Sequence, residues 1–398
     1  MVNSYPKLQG VNTFAVKNVS EALYVVKQAL EEEGVEVDTR NGKALEFPVP
    51  CAITYNNPLE RVLFYPERDA NPIFHFMESL WMLAGRNDVK WIQNYNKRMN
   101  EYSDDGEILQ GAYGYRWRYH FNDTYQKYDK EELERNKYHK TGKWGHLFTS
   151  PFFPDKWCPN DQIGSVIWRL KEYPNDRRAV LTMWDPKTDL TRGNHSKDLP
   201  CNTHIYFSLR DNKLNMTVCN RSNDMIWGAL GANAVHMSYL LEYIAWKVHA
   251  EVGTYTQFTN NLHAYVDTLQ KLDGMQPDYD AYAVRSMKPM PMVSDNINER
   301  NEFDSDLDKF IRYASWNTVN RPDLFDDLHM TYDPDMNNSY RCEFFRRLAY
   351  PMQQTWLWWK RKEYQVAWDW SEKIKPDDWC VAVQEWLMRR GVKNERHA

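Results

Sequence analysis

Two neighbouring segments of alternating apolar and polar residues, 203–210 and 213–220, constrain the fold of this chain most strongly. Between them stands Asp211-Asn212, a pair that favours the positive φ angles of a tight hairpin turn. The first segment begins just after a proline and Cys201. The sequence therefore predicts an antiparallel hairpin within a sheet, with a cysteine at the mouth of its first strand.

Helical and strand patterns alternate along the rest of the chain. Helices are predicted at 20–33, 72–84, 161–173 and 232–250, and further strands at 44–55, 179–184 and 254–258. Ser20 is the predicted N-cap of the first helix. We expect an α+β fold in which residues 1–290 form a catalytic domain, with a polar insertion at about 119–159, and residues 291–398 form a helical C-terminal extension packed on it.

Composition excludes several classes of protein. The net charge of −5 argues against a general nucleic-acid-binding surface, which would be basic. The six cysteines show neither CxxC pairs nor metal-finger spacing, which indicates reduced thiols. No apolar run reaches the length of about 18 residues that a membrane helix needs. We expect a cytoplasmic protein, without metal, nucleic acid or membrane among its partners.

Cys201 is the first candidate catalytic residue, because Arg221 and Ser222 end the second strand of the hairpin that it opens. A thiol beside an arginine predicts a nucleophile with a lowered pKa. The alternative is a small buried hydrophobic cysteine. Arg40 and the pair Arg177-Arg178 are further candidates to bind a phosphate, since guanidinium groups bind it bidentately. Their alternative is ordinary surface charge.

Three side chains are candidates to move protons, and two to bind a nucleoside. Glu78 lies in an apolar helix, where a carboxylate is costly to bury unless it is paired or functional; a buried carboxylate that caps a backbone group is the alternative. Tyr113 and His263 are the other two proton-handling candidates. His263 and Tyr265 would share one side of an extended strand and could bind a sugar hydroxyl, or form a core pair. Asn233 could present a donor and an acceptor to a base edge.

The order of these residues resembles that of thymidylate synthases and the related pyrimidine-nucleotide hydroxymethylases. The resemblance covers roughly residues 18 to 270. The matching pieces, in chain order, are Arg40, Glu78, Tyr113-Gly114, Asp161-Gln162, Asp176-Arg177-Arg178, Pro200-Cys201, Arg221-Ser222-Asn223-Asp224, Gly228 with Asn233, and His263-Ala264-Tyr265. It implies a thymidylate-synthase-type fold, in which a large mixed sheet forms a dimer interface and helices pack on the outer side.

The resemblance also implies a reaction. This family transfers a one-carbon unit from the co-substrate 5,10-methylenetetrahydrofolate to C5 of a pyrimidine nucleotide monophosphate. Cys201 would add to C6 of the base, Glu78 would act as the general acid, and Tyr113 would assist removal of the C5 proton.

The phosphate contacts implied by the family come from two subunits. Arg40, Arg221 and Ser222 would bind the phosphate from one side, and Arg177 and Arg178 would reach it from the neighbouring subunit. This arrangement implies a homodimer.

The remaining contacts concern the sugar, the folate and the base. His263 and Tyr265 would bind the 3′-hydroxyl, and Asp224 would lie near the pterin. Asn233 indicates uracil, because an amide can donate to O4 and accept from N3–H, whereas cytosine reverses donor and acceptor. Family members that act on cytosine carry aspartate there. The step from Gly228 to Asn233 is one residue longer than in the synthases.

Two departures bear on the product. Synthases follow the cysteine with histidine, but this chain has Asn202; it also lacks their apolar C-terminal tail and a recognisable tryptophan segment at 99–108. Water that reaches the exocyclic methylene intermediate gives a hydroxymethyl product, whereas excluded water leaves hydride transfer and a methyl product. The sequence therefore favours hydroxymethylation of dUMP. The alternatives are a thymidylate synthase, a dCMP or CMP hydroxymethylase, and a catalytically silent nucleotide-binding relative.

Overall fold

Two sheets form the frame of the protein. Its computed structural model describes residues 10–121, 149–150, 153–157, 161–191, 196–276, 281–292, 297–315, 334–375 and 377–392. The strands are β1 (Asn12–Val16), β2 (Val35–Thr39), β3 (Gly42–Glu46), β4 (Cys51–Tyr55), β5 (Thr149–Ser150), β6 (Phe153–Trp157), β7 (Val180–Thr182), β8 (Asn202–Arg210), β9 (Lys213–Asn220), β10 (Asn223–Asp224), β11 (Glu251–Thr259) and β12 (Leu262–Tyr265). The α-helices are α1 (Val19–Glu33), α2 (Pro72–Leu83), α3 (Val89–Ile92), α4 (Met99–Tyr102), α5 (Tyr113–Arg118), α6 (Gln162–Glu172), α7 (Pro186–Asp189), α8 (Asn233–Lys247), α9 (Val266–Leu269), α10 (Ala281–Val284), α11 (Ile297–Ser315), α12 (Pro334–Ser339), α13 (Tyr350–Lys360), α14 (Tyr364–Ser371) and α15 (Asp377–Arg389).

The larger sheet has six strands in the order β1-β4-β11-β9-β8-β7. It is mixed, because β1 runs parallel to β4 and β9 parallel to β11, while the other neighbours are antiparallel. The predicted hairpin is β8–β9, and Asp211 and Asn212 both have positive φ, at 48° and 58°. The predicted α+β class with a large mixed sheet is therefore confirmed.

One face of this sheet is covered and the other is largely open in the single chain. Along β9 and β11 the side chains alternate between buried and half-buried. The buried set, which includes Ile53, Met216 and Val218, belongs to the main hydrophobic core. On the opposite face Tyr206 is 45% and Phe258 37% exposed. Alternation of this kind is expected for a sheet that packs helices on one side only.

The smaller sheet gathers segments that lie far apart in the chain. Its order is β10-β12-β3-β2, with β10 parallel to β12. The predicted strand at 44–55 is divided between the two sheets, because β3 joins the smaller and β4 the larger one. The chain can therefore cross from one sheet to the other at residues 47–50.

Local sequence explains how the first two long helices begin. Pro72 occupies the first turn of α2, and the Asn71 side chain accepts the N–H of Phe74. The helix α1 begins one residue earlier than predicted, and its N-cap is Asn18, which accepts the N–H of Glu21. Ser20, the predicted cap, is instead buried inside the first turn.

The C-terminal helices pack on the helical side of the sheet. Phe76 of α2 contacts Trp379 of α15, with ring centroids 5.5 Å apart, and Phe303 of α11 contacts Trp246 of α8 at the same distance. The predicted insertion at about 119–159 lies mostly outside the described residues; the hairpin β5–β6 is among the parts that are described. In the part of the chain that is described, no helix is long and apolar enough to span a membrane.

Buried ion pairs fix the short helix α5 in place. Arg116 forms a bidentate pair with Asp189, at 2.8 and 3.0 Å, and both side chains are fully buried. Arg118 bonds Asp161 at 2.8 Å. Gly114 lies so close to α2 that a Cβ atom there would be 1.9 Å from the carbonyl oxygen of Met82. The position of Tyr113 at the start of α5 is therefore set by contacts on both sides.

Removal of the Arg116 side chain should destabilise the fold strongly. Arg116→Ala leaves Asp189 buried without its partner, which costs about 3–5 kcal/mol of unfolding free energy. Arg178→Ala is the matched control, because its pair with Asp176 is 76% exposed on the arginine side and should change stability by no more than about 0.5 kcal/mol. Urea denaturation measures both. An equal loss in the two variants would contradict the role assigned to Arg116.

Candidate active site

Cys201 lies where β8 begins and β9 ends. The N–H of Arg221 donates to the carbonyl of Cys201 at 2.9 Å. The Arg221 guanidinium donates to the carbonyls of Pro200 and Leu199, at 3.0 and 3.1 Å, and its Nη2 lies 3.9 Å from the Cys201 sulfur. The predicted association of this thiol with an arginine is therefore present in the structure.

Arg221 lowers the pKa of Cys201 as predicted, but the predicted net lowering is wrong. Burial raises the pKa of the thiol, and this effect exceeds the opposing effect of Arg221. The negative charges of Asp198 and Asp224 raise the pKa further. The net direction is upward, so Arg221 moderates the cost of forming a thiolate without removing it.

Tyr113 lies next to this thiol. Burial raises the pKa of Tyr113 well above its ordinary value, and a charge on Cys201 would raise it further, whereas the Asn202 backbone N–H lowers it. The N–H of Gly111 donates to the Asp198 carboxylate at 2.8 Å, which ties the turn before Tyr113 to the loop before Cys201. The structure therefore brings these two predicted catalytic residues together, with the tyrosine hydroxyl protonated.

Glu78 lies within ion-pair distance of His236, but in an orientation that does not form a hydrogen bond. Its carboxylate oxygen Oε2 lies 3.0 Å from Nε2 of His236, and the two side chains are 13% and 3% exposed. His236 follows Asn233 by one turn of α8, so both can lie on one face of that helix. The contact between His236 and Glu78 was not predicted from the sequence. The available signal was the position of His236, three residues after the candidate base-binding residue Asn233.

His263 and Tyr265 lie side by side on β12, with ring centroids 5.5 Å apart. The Asn261 amide nitrogen donates to Glu46, so its oxygen faces Nδ1 of His263 at 2.9 Å. Nδ1 must then carry the proton, which leaves Nε2 of the neutral ring as an acceptor. This tautomer is suited to bind a hydroxyl group.

Arg40 and Ser222 lie on segments that adjoin the same small sheet. Arg40 is on the turn between β2 and β3, where the Asn41 side chain donates to the Tyr265 hydroxyl at 3.1 Å. Arg40 is exposed and makes no hydrogen bond with its side chain to any residue that the structure describes. Ser222, which is half-buried, links β9 to β10 directly after Arg221.

Arg177 and Arg178 are far from Cys201 within one chain. They precede β7, which pairs with β8 so that Val180 is opposite Tyr206. If this register continues to Arg178, that residue lies opposite the position six residues after the start of β8. At about 3.4 Å per residue, this position is about 20 Å along the strand from the end that carries Cys201. Both arginines are exposed at the sheet edge.

Asp224 combines a structural role with an unused oxygen. Its Oδ1 accepts the N–H groups of Ile226 and Trp227, at 2.8 and 2.7 Å. Its Oδ2 is buried without a hydrogen-bond partner among the described residues. Burial raises the pKa of Asp224, against the lowering effect of those N–H groups. Its register partner on β12 is His263.

Asn233 begins α8, five residues after Gly228. The segment Met225–Ala232 is a π-type winding with a kink at Gly231 (φ −118°, ψ −111°), and the N–H of Asn233 donates to the carbonyl of Gly228, five residues back. A π-turn accommodates one extra residue within a helix. The Asn233 side chain is buried, and its Nδ2 donates to Oδ1 of Asn223 at 3.1 Å.

Comparison with known proteins agrees with this geometry. The family model for thymidylate synthase matches residues 26–311. A deoxyuridylate hydroxymethyltransferase of Pseudomonas phage M6 is 38% identical over 390 residues, which cover 94% of this chain and 93% of that protein. A protein of the same name from Bacillus phage SP01 is 33% identical over 304 residues, 73% of this chain and 72% of that one. A putative thymidylate synthase of Methanocaldococcus jannaschii is 38% identical over 122 residues, 30% of this chain and 53% of its own. The sheet, the thiol beside its arginine and these matches together show that the chain belongs to the thymidylate synthase family.

Proposed function

We propose that this protein transfers a one-carbon unit from 5,10-methylenetetrahydrofolate to C5 of dUMP and releases 5-hydroxymethyl-dUMP. The observation that carries the proposal is the 3.9 Å contact between the Cys201 sulfur and Arg221, at the point where the two sheets adjoin. The similarity over 94% of the chain to a phage deoxyuridylate hydroxymethyltransferase supports the same substrate and product.

Cys201 is the nucleophile of this reaction. Its thiolate adds to C6 of uracil, the new S–C6 bond forms, and the electron pair of the C5–C6 double bond moves toward C5 and O4. C5 thereby becomes the carbon nucleophile that accepts the one-carbon unit. Because burial raises the thiol pKa, the adjacent Arg221 is needed to keep the thiolate accessible.

Glu78 and Tyr113 handle the protons. Glu78 serves as the general acid near the base, and its carboxylate lies 3.0 Å from Nε2 of His236. The raised pKa of Tyr113 means that its hydroxyl keeps its proton at neutral pH. Tyr113 therefore assists loss of the C5 proton by accepting and donating hydrogen bonds rather than as a tyrosinate.

The residues near Asp224 fit a folate. Methylenetetrahydrofolate supplies the one-carbon unit. The buried Oδ2 of Asp224, which has no partner in the described structure, is an acceptor for a pterin N–H group. Trp227, 47% exposed and three residues further on, offers a flat apolar surface to an aromatic ring.

Asn202 and the neighbouring loops favour water as the final reactant. The Asn202 side chain is fully buried directly after Cys201, and neither of its amide atoms has a hydrogen-bond partner among the described residues. Buried amides commonly bind ordered water. The polar, exposed loop 104–107 is tied to the segment before Cys201 by Asp104, which accepts from Ser196 and from the Lys197 N–H at 2.8 Å. Water that adds to the methylene carbon on C5, followed by loss of the C5 proton if it is still present and release of the Cys201 thiolate from C6, gives the hydroxymethyl product.

Product analysis tests the proposed function. Incubation with dUMP and methylenetetrahydrofolate should yield 5-hydroxymethyl-dUMP by mass spectrometry, without the absorbance change of dihydrofolate formation. Cys201→Ser should lower this rate by roughly 10⁴-fold or more, because no covalent adduct can form. Cys219→Ser is the matched control, since that thiol is on the neighbouring strand and outside the proposed chemistry. A methyl product formed with dihydrofolate would identify a thymidylate synthase instead.

Thiol reactivity tests the electrostatics of Cys201. Alkylation by iodoacetamide requires the thiolate, so its rate should rise with pH around a midpoint above the ordinary cysteine value, as burial raises the pKa. Arg221→Ala should move this midpoint to still higher pH and slow alkylation at a fixed mildly alkaline pH. Arg210→Ala, at the far end of β8, should not. Cys201→Ser identifies the labelled thiol by difference, and a midpoint unchanged by loss of Arg221 would refute the argument.

We also propose that the protein is a homodimer that pairs through the open face of the large sheet. That face exposes Tyr206 and Phe258, apolar groups suited to an interface. Arg177 and Arg178, too far from Cys201 in their own chain, would then bind the phosphate in the partner's site. Two equivalent sites would result from one two-fold axis.

Mixing two inactive variants tests the shared site. Cys201→Ser alone and Arg177→Ala/Arg178→Ala alone should each be nearly inactive. After mixed refolding, hybrid dimers should recover about a quarter of the wild-type activity, because half of the dimers are hybrids and each has one intact site. Mixing Cys201→Ser with Arg221→Ala is the control and should recover nothing. Equal recovery in both mixtures, or none in the first, would contradict a site built from two subunits.

We place this activity in the cytoplasm, of the host cell if the chain is phage-encoded, with nucleotide and folate as its partners. The five cysteines within the described residues carry free thiols, as proteins of reducing compartments do. The acidic net charge of −5 also suits small-molecule substrates better than a nucleic acid.

A further inference from the structure

A relay of three buried side-chain amides ends on a backbone carbonyl behind Asn233. Asn233 donates from Nδ2 to Oδ1 of Asn223 at 3.1 Å, and Asn223 donates from its own Nδ2 to Oε1 of Gln257 at 3.1 Å. Gln257 donates from Nε2 to the carbonyl of Ala229 at 2.8 Å. The three amide side chains are 6%, 2% and 1% exposed.

The backbone carbonyl gives the relay its direction. A carbonyl oxygen can only accept, so Gln257 must turn its NH₂ group toward Ala229 and its oxygen toward Asn223. Asn223 must then present its NH₂ to Gln257 and its oxygen to Asn233. Reversing any one amide would set two oxygens or two NH₂ groups against each other, in side chains that are buried away from bulk solvent. The Tyr55 hydroxyl, 2.8 Å from Nε2 of Gln257, is compatible with this order because it also can accept.

Asn233 therefore has one orientation. One of its N–H groups is taken by Asn223, and its second N–H and its oxygen are left for a ligand. Uracil offers an acceptor at O4 and a donor at N3, which this arrangement matches. Cytosine offers the reverse, and to bind it Asn233 would have to turn its oxygen onto that of Asn223.

We propose that Asn223 and Gln257 are specificity-determining residues, which hold Asn233 in the orientation that reads uracil and oppose the orientation that cytosine needs. The inference rests on the proposed function, in which Asn233 contacts the base. In this proposal neither Asn223 nor Gln257 contacts the base. Asn223 orients Asn233 directly, and Gln257 orients Asn223.

The surrounding backbone is shaped to admit the relay. A Cβ atom on Gly228 would lie 2.4 Å from Oδ1 of Asn223 and 3.5 Å from Nδ2 of Asn233. Only glycine at this position leaves room for the Asn223 oxygen that accepts the hydrogen bond from Asn233. The backbone N–H of Asn223 is in turn fixed by the Asn261 carbonyl at 2.9 Å.

The relay also predicts the effect of an aspartate at position 233, the residue that family members acting on cytosine carry there. In Asn233→Asp, a carboxylate oxygen would face Oδ1 of Asn223, and Asn223 could not turn without opposing Gln257. Asn233→Asp alone should therefore use dCMP poorly. Asn233→Asp/Asn223→Leu, which removes the opposing oxygen at similar volume, should use dCMP better than Asn233→Asp does.

The experiment measures kcat/KM for dUMP and dCMP in Asn223→Leu and Gln257→Met, both close to the original volume. The dUMP-to-dCMP ratio should fall roughly ten- to hundredfold, the effect of an unpaired buried polar group. Asn220→Leu is the matched control: that buried asparagine bonds Thr259 outside the relay and should leave the ratio within about twofold. A ratio unchanged in both relay variants, or an Asn233→Asp/Asn223→Leu variant no better on dCMP than Asn233→Asp, would overturn the proposal.

Binding measurements separate this proposal from the proposed function. Calorimetric titration of dUMP and dCMP requires no turnover, so the ratio of the two dissociation constants reports on the relay even if the product is not the expected one. A wild-type protein that hydroxymethylates dUMP while the relay variants keep its selectivity would refute the relay alone. Should Asn223→Leu fail to fold, Gln257→Met and Gly228→Ala test the same orientation, and selectivity retained in both would count against it.

Discussion

The register of β8 on β9 is the constraint on which the site depends. With Asn202 opposite Asn220, the residues just outside the two strands, Cys201 and Arg221, become neighbours. A slip by one residue would send every side chain of the strand to the other face and separate the thiol from the guanidinium. The register continues through β11, where Thr259 is opposite Asn220, and the chain then returns as β12 to set His263 beside Asp224. Residues up to 62 positions apart in the chain thus reach one site through backbone pairing alone.

Burial has the largest effect on each of the titratable groups around this site whose pKa is shifted. It raises the pKa of Cys201, Tyr113 and Asp224 alike, and the nearby cation and N–H groups only reduce that effect. Such a site disfavours negative charge, so in the proposed reaction the thiolate would form only as it adds to the base. The same burial strengthens each remaining hydrogen bond and makes an unpaired amide costly. Nucleophile activation and base reading therefore have a common physical origin.

Sequence patterns were sufficient for the elements whose signals are local. The hairpin at Asp211-Asn212 and the helix that begins at Pro72 follow from turn residues and from periodicity, and the order of motifs was enough to identify the family. The elevated pKa of Cys201 could not be predicted, because it depends on how much protein surrounds the sulfur rather than on which arginine is nearby. The role of Asn223 could not be predicted either. Asn223 occupies the x position of Arg-Ser-x-Asp, and its partner Gln257 comes 34 residues later on another strand. Contacts of this kind depend on tertiary register, which a single sequence does not display.

The extra residue before Asn233 and the amide relay are two aspects of one backbone change. In a regular α-helix the N–H of Asn233 would donate to the carbonyl four residues back, that of Ala229. The π-turn moves this bond to Gly228, and the Ala229 carbonyl accepts instead from Gln257. The insertion that lengthens the spacing thus frees the acceptor that gives the relay its direction. Deleting one residue from 230–232 would place Ala234 four residues after Ala229, so a regular helix would take the Ala229 carbonyl and leave Gln257 without its anchor. The five-residue step from Gly228 to Asn233 is therefore part of the proposed device that orients Asn233.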